Sequence, residues 1–204
     1  MSVVSNGSTK WERTHERILD IAVQVAAAAG LSGLSISGVA DELNMSKSGL
    51  YAHFSSKQQL QLATIDAAWG TFSRDALRPA MQKRGSGLLK VCELFLSRPE
   101  PRVFSYCSLC GVVPNASGPW SLAIRERIAE IQRKWSGVLQ AVMVHARDVG
   151  ELDVDVDVTQ LAFELSAMLF AANMAFILYA DSTGFEHARV AIHTRLMPRG
   201  RFFD

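Results

Sequence analysis

The sequence predicts an all-α fold. Three observations carry that expectation: apolar residues recur at helical spacing over long stretches, capping residues open those stretches, and glycine or asparagine closes them. With 204 residues, 49% of them hydrophobic and 20% charged, the chain can bury a sizeable core in one or two domains.

Residues 1–8 are small and polar and read as a loose arm. Thr9 with Glu12 makes a capping box, after which Ile18, Ala22, Val25 and Ala29 repeat at helical spacing until Gly30 supplies a left-handed stop. Ser35 caps a second helix whose Val39, Ala40 and Leu43 face inward. Asn44 sits where the chain must turn, because asparagine tolerates positive φ better than most residues. Ser46 caps a third helix in which Leu50 and Phe54 share one face and pack on the first two. Its opposite side, with Lys47, Ser48, Tyr51 and Ala52, is left for a partner. Two helices joined this tightly can present the second to the major groove of DNA.

Ser56-Lys57-Gln58-Gln59 opens a fourth helix through Trp69 and Phe72 to about Leu77, where Arg78-Pro79 and then Gly85-Ser86-Gly87 interrupt. The boundary between a DNA-reading part, residues 1–66, and a ligand-binding and dimerisation part, residues 67–204, falls inside this connecting helix. Leu88 to Leu96 reads as a helix ended by Pro99-Glu100-Pro101. Phe104 to Val113 is apolar without clear period, and residues 115–119 are loop.

From Trp120 to Val149 the stripe Ile124, Ile128, Ile131, Trp135, Val138, Val142 and Val149 predicts a long amphipathic helix, stopped by Gly150. Asp153, Asp155 and Asp157 precede another long helix, Thr159 to about Asp181, where carboxylates suit the positive helix N-terminus. A short helix, Glu186 to Leu196, closes the chain.

The run Ser46-Lys47-Ser48-Gly49-Leu50-Tyr51-Ala52-His53-Phe54, followed by Ser56-Lys57 and Leu60, resembles the recognition helix and fourth-helix entry of the TetR family of bacterial transcription regulators. The resemblance is closest over residues 14–72. Tyr106-Cys107, the Gly118-Pro119 loop and two long helices separated by Gly150-Glu151-Leu152 look like one of the family's ligand-binding domains. It implies an N-terminal three-helix helix-turn-helix head, a C-terminal helical ligand-binding and dimerisation domain, a homodimer, a double-stranded DNA operator and a small-molecule effector.

The resemblance puts Ser35, Ser37, Ser46, Lys47, Ser48, Gly49 and Ala52 on the DNA side, with Tyr51 and His53 at positions that contact phosphates. Lys57 is expected to approach a phosphate beside backbone amides that favour anions. Gly49 costs its helix ~1 kcal/mol relative to alanine, which makes sense where backbone approaches DNA closely. Outside such a context a lone Tyr, His or Lys is more often packing or solvated surface. The chain departs from the family at Asn44, where glycine is common, and at Ser37-Gly38, where threonine or arginine often adds contacts.

Charge argues mildly the other way. The whole chain carries +1 and residues 1–66 carry −1, so modest nonspecific affinity and reliance on dimerisation are expected.

Other constellations are weaker. Cys107-Ser108-Leu109-Cys110 is a single CxxC with no second ligand pair, so no metal site is expected. With Cys92 these cysteines admit a thiol-sensing alternative, though free cysteine is more often core. The alternating aspartates 153, 155 and 157 lack the glycine and final glutamate of a calcium loop. His145, His187 and His193 have no nucleophile context, which disfavours an enzyme acting on the pocket ligand, and no cofactor motif is present.

Three cysteines and an N-terminus without a signal-peptide core fit a reducing cytoplasm. The apolar run Ala167 to Ala180 is shorter than the ~20 residues of a membrane crossing. The Trp120–Val149 and Thr159–Asp181 helices, with Ala167, Ala171, Ala172 and Ala175 permitting close approach, are expected to form a four-helix bundle between two subunits. Trp69, Phe72, Phe95, Phe104, Cys107, Trp120 and Met168 are candidates to line a pocket for a largely apolar effector, although each type is commonly plain core.

Overall fold

The structure, a computed structural model, describes residues 9–82, 121–179 and 181–196. The expectations for the 1–8 arm, the 88–96 helix, the 104–119 region, Cys92, Phe95, Phe104, Cys107, Cys110 and Trp120 lie outside the described residues. Among those described, every regular element is helical: α1 Lys10–Gly33, α2 Ile36–Glu42, α3 Lys47–Tyr51, α4 Lys57–Phe72, α5 Arg78–Gln82, α6 Leu122–Asp148, α7 Val158–Tyr179 and α8 Thr183–Leu196.

Local chemistry sets the helix ends. At α1 the Glu12 N–H donates to Thr9 Oγ1 at 3.1 Å while the Thr9 N–H donates to Glu12 Oε2 at 2.6 Å, the reciprocal capping box. Gly30 takes φ 72°, breaking α1 before a last turn to Gly33. The buried stripe of α1 is Ile18, Ala22, Ala26 and Leu31; Val25 is half-buried and Ala29 exposed, one residue out of the expected phase.

Between α2 and α3, Asn44 adopts φ 52° and the Met45 N–H reaches back to Ala40 O at 2.9 Å, closing α2 as a left-handed C-cap does. Gly150 does the same for α6, at φ 79° with the Glu151 N–H on Ala146 O at 2.7 Å. Asp157 opens α7 by accepting from the Thr159 and Gln160 N–H groups at 2.9 and 3.0 Å.

Pro79 does not end the connecting helix. Residues Ser73–Leu77 widen into a π-helical turn in which the Arg78 N–H bonds to Ser73 O, and α5 then restarts with proline in its first turn. The π-helical turn immediately before it lets the helical backbone continue although proline supplies no N–H.

One cluster of buried apolar residues runs from Ile18 to Leu196. α6 spends its stripe inside the chain: Ile124, Ile128, Ile131, Trp135, Leu139, Val142, Met143 and Ala146 are buried, whereas Val138 is half-buried and Val149 exposed. The expected stripe thus holds at Val142 but misses at Val138 and Val149, where the helix's own 3.6-residue period buries Leu139 and Ala146 instead.

α7 and α8 form an antiparallel hairpin. A Cβ added at Gly184 would stand 3.1 Å from Ala175 Cβ and 3.2 Å from Ala172 O, so these alanines serve contact within the chain. Phe176 meets Phe185 with ring centroids 5.8 Å apart, and Arg195 pairs with Glu164. Val158–Phe176 is long and apolar enough for a membrane crossing by length and composition alone, yet it packs against α6 and α8, and the expectation of no crossing stands.

Candidate nucleic-acid interface

The head assembles its exposed face from short-range caps. Ser46 Oγ accepts the Gly49 N–H at 3.1 Å and lies 3.1 Å from Ser48 Oγ, which fixes the first turn of α3. A Cβ at Gly49 would come within 3.1 Å of that Ser46 oxygen, so the glycine has a local role in seating the cap besides any approach to DNA. Ser35 Oγ likewise accepts the Gly38 N–H at 3.0 Å, while Ser37 is half-buried on α2.

α3 is only five residues long, shorter than expected, and Phe54 follows it. The Phe54 N–H still reaches Leu50 O at 3.0 Å, so both side chains stay in the core. With Leu50 and Phe54 sealed inside, Lys47, Ser48, Tyr51 and Ala52 are exposed on the other side. Tyr51 is 53% exposed, an unusual position for a large ring unless a partner covers it.

His53 is half-buried at the end of this face and enters an aromatic cluster that the sequence reading missed. Trp11 stacks on His53 at 4.9 Å and on His15 at 4.9 Å, and His15 stacks on Phe54 at 4.7 Å. Trp11 and His15 stand four apart on α1, a spacing that puts them on one face. Their meeting with His53 depends on how α1 crosses α3, which spacing does not reveal. Burial, reinforced by the neighbouring His53, holds His15 below the ordinary imidazole value against a smaller opposing pull from Glu16.

Lys57 also has a partner that the sequence did not indicate: its Nζ donates to Ser32 O at 2.9 Å, and one turn on, Gln61 Nε2 donates to Leu31 O at 2.7 Å. Both bonds cover carbonyls at the C-terminal end of α1. An ammonium has three donors, so the Ser32 bond leaves two for other acceptors.

Of the expected pocket residues, Phe72 is fully buried and meets Trp135 edge-on at 5.8 Å. Trp69 lies 5.8 Å from Phe72, and Met168 packs half-buried on the same apolar cluster. Phe72 is thus part of the core between α4 and α6. Among the described residues no three His, Cys, Asp or Glu side chains come together as metal ligands would.

A tight pair of short helices presenting an exposed polar face, followed by a connecting helix and a helical C-terminal half, defines a helix-turn-helix DNA-binding protein. Residues 18–64 match the family described as bacterial regulatory proteins, tetR family, and residues 121–192 match the tetracyclin repressor-like C-terminal domain. Together these take in more than half of the chain, which belongs to the TetR family of transcription regulators.

A comparison with curated proteins found no match. Solved structures similar to the chain include the TetR-family regulator from Cytophaga hutchinsonii, with TM-score 0.79, 18% identity, and 94% of this chain and 96% of that one covered. A putative regulator from Saccharomonospora viridis in complex with choline has TM-score 0.73 and 18% identity, covering 92% and 97%. E. coli NemR in its reduced form has TM-score 0.74 and 18% identity, covering 88% and 95%. Likeness at this identity carries the fold and not the ligand. The family and its Cytophaga hutchinsonii member are regulators of transcription, not enzymes.

Proposed function

We propose that the protein is a homodimeric repressor that binds a near-palindromic operator through paired α3 helices and releases it when a largely apolar small molecule fills the C-terminal half. The observation that carries the DNA reading is the division of α3, with Leu50 buried while Lys47, Ser48 and Tyr51 stand exposed. Lys47 and Ser48 begin the helix, the end that such proteins direct toward base edges.

Dimerisation is supported by α7. Phe163, Phe170, Leu178 and Tyr179 are exposed on it, Val190 on α8, and only 28% of the apolar Val158–Phe176 window is buried in the single chain. The buried stripe of α6 is covered within the chain, so in this reading α6 contributes its other face beside α7. An interface of this kind falls in the obligate range, roughly 2,000 Å² or more in total.

The division into head and regulatory part near residue 66 belongs to the same reading. Beyond Asp66, α4 meets α6 through Phe72 and Trp135. An effector that tilts α4 changes the spacing of the two heads, which must match major grooves ~34 Å apart. The effector weakens DNA binding only by its differential affinity for the two spacings.

The test uses the duplex that the full-length protein selects from a random pool. Lys47→Ala and Tyr51→Ala are each expected to lose ~1–3 kcal/mol of binding with the fold intact. Unchanged affinity in both variants would remove α3 from the interface.

A further inference from the structure

Trp11 is a large apolar ring left 54% exposed at the first turn of α1, yet it stacks on His53 with ring centroids 4.9 Å apart and an interplanar angle of 25°. It is also stacked on His15, at 4.9 Å and 19°, which in turn stacks on Phe54 in the core. His53 is therefore held from α1 as well as by its own backbone at the end of the recognition helix.

The imidazole nitrogens are not equivalent. His53 Nδ1 is buried with no hydrogen-bond partner, and so is His15 Nδ1. A buried bare nitrogen is a cheaper orphan than a buried N–H, which leaves Nε2 as the nitrogen placed to donate. The stack fixes the ring plane, and the buried Nδ1 fixes which nitrogen can donate.

We propose that Trp11 is a positioning residue for DNA binding: by stacking on His53 it holds that imidazole in the orientation that gives its Nε2–H to a backbone phosphate. This rests on the reading of His53 as a phosphate contact. The contact goes to the DNA backbone, so it adds affinity without carrying sequence information. Preorganisation matters because a freely rotating ring would lose part of that affinity in being ordered.

The experiment is fluorescence anisotropy of full-length variants on a labelled random-sequence duplex, titrated across salt concentrations, with thermal unfolding of each variant alongside. His53→Ala should weaken binding about tenfold per subunit, the loss of one hydrogen bond to a charged group from each head. Trp11→Ala should weaken it about fivefold with the same salt slope as His53→Ala, Trp11→Phe should restore it to within about twofold, and the double variant should bind no more weakly than His53→Ala alone. Where Trp11→Ala fails to fold, Trp11→Leu, which fills space without a π face, carries the same expectation. Parent-like binding by Trp11→Ala beside a weakened His53→Ala overturns the positioning role and leaves the phosphate contact standing. Additive losses in the double variant overturn it too, since Trp11 would then act independently. Parent-like binding by His53→Ala removes both the contact and the inference.

Discussion

Arg127 Nε lies 3.1 Å from Asp66 Oδ1, tying the helix that leaves the head to the longest described helix of the C-terminal half. Glu130 extends the pair, accepting from Arg127 at 2.7 Å and from Lys134 at 2.9 Å. Burial nevertheless pushes the Asp66 carboxyl above its ordinary value, outweighing the pull of Arg127 in the other direction. The folded state thus holds that proton more tightly than the unfolded chain does. Its contribution to stability is present at low pH and is lost as pH rises through the folded value.

The ion pair is accordingly a weak fastener at neutral pH and the apolar contact beside it a strong one. Asp66→Asn should change unfolding free energy by less than ~1 kcal/mol, as exposed pairs do. Phe72→Ala, which empties the contact with Trp135, should cost ~3–5 kcal/mol. Urea denaturation of the two variants checks the ranking, and a larger loss in Asp66→Asn would reverse it.

The His15 imidazole is held below its ordinary value, so the unfolded chain binds protons that the folded head refuses. The stability this group contributes is fully present above about pH 6.5, the unfolded value, and falls away as pH drops through the lower folded value. Thermal midpoints measured from neutral to mildly acid pH should fall less steeply in His15→Phe than in the parent. Parallel curves would show that His15 does not carry the acid sensitivity.

The contrast between these residues and the caps shows what a sequence displays. Thr9 with Glu12, Ser46 before Gly49, Asn44 and Gly150 were legible because each acts within a few residues of itself, through a side chain on a nearby N–H or a left-handed φ. The exposed Lys47 and Tyr51 were legible once Leu50 and Phe54 fixed the buried face. Lys57 on Ser32, Gln61 on Leu31, Trp11 on His53 and Arg127 on Asp66 were not, since each joins different helices whose crossing no spacing encodes. The α6 stripe was legible at Ile124, Ile128, Ile131, Trp135 and Val142 but not at Leu139, Met143 and Ala146, because valine and leucine side chains at adjacent positions fit the helical period about equally well.

Gln61 and Lys57 cap the same end of α1 with unequal consequences. Gln61 is buried, so Gln61→Leu leaves the Leu31 carbonyl only the 3.3 Å bond from the Leu34 N–H and should cost about 1 kcal/mol of stability, the worth of one typical hydrogen bond. Lys57 is exposed, and Lys57→Gln should cost less than that in stability while lowering the salt slope of DNA binding by about one per subunit. An unchanged slope would leave Lys57 as a helix cap alone.

The two alanines of α7 separate the surfaces of that helix. Ala171 is exposed beside Phe170, whereas Ala175 faces Gly184 within the chain. Ala171→Arg should yield a folded monomer with little DNA affinity. Ala175→Arg should damage the α7–α8 hairpin and lower the melting temperature. Sedimentation and thermal unfolding together distinguish the outcomes, and a dimeric Ala171→Arg that binds DNA as the parent does would move the interface elsewhere.

The most direct test of a paired-head regulator is the symmetry of the DNA it chooses. Full-length protein should enrich from a random pool a sequence with two inverted half-sites centred about one helical turn, or a whole number of turns, apart. Sedimentation of the complex should give two chains per duplex, or a multiple of two. Enrichment of a single asymmetric half-site bound by one chain, or no enrichment over the starting pool, would contradict the account.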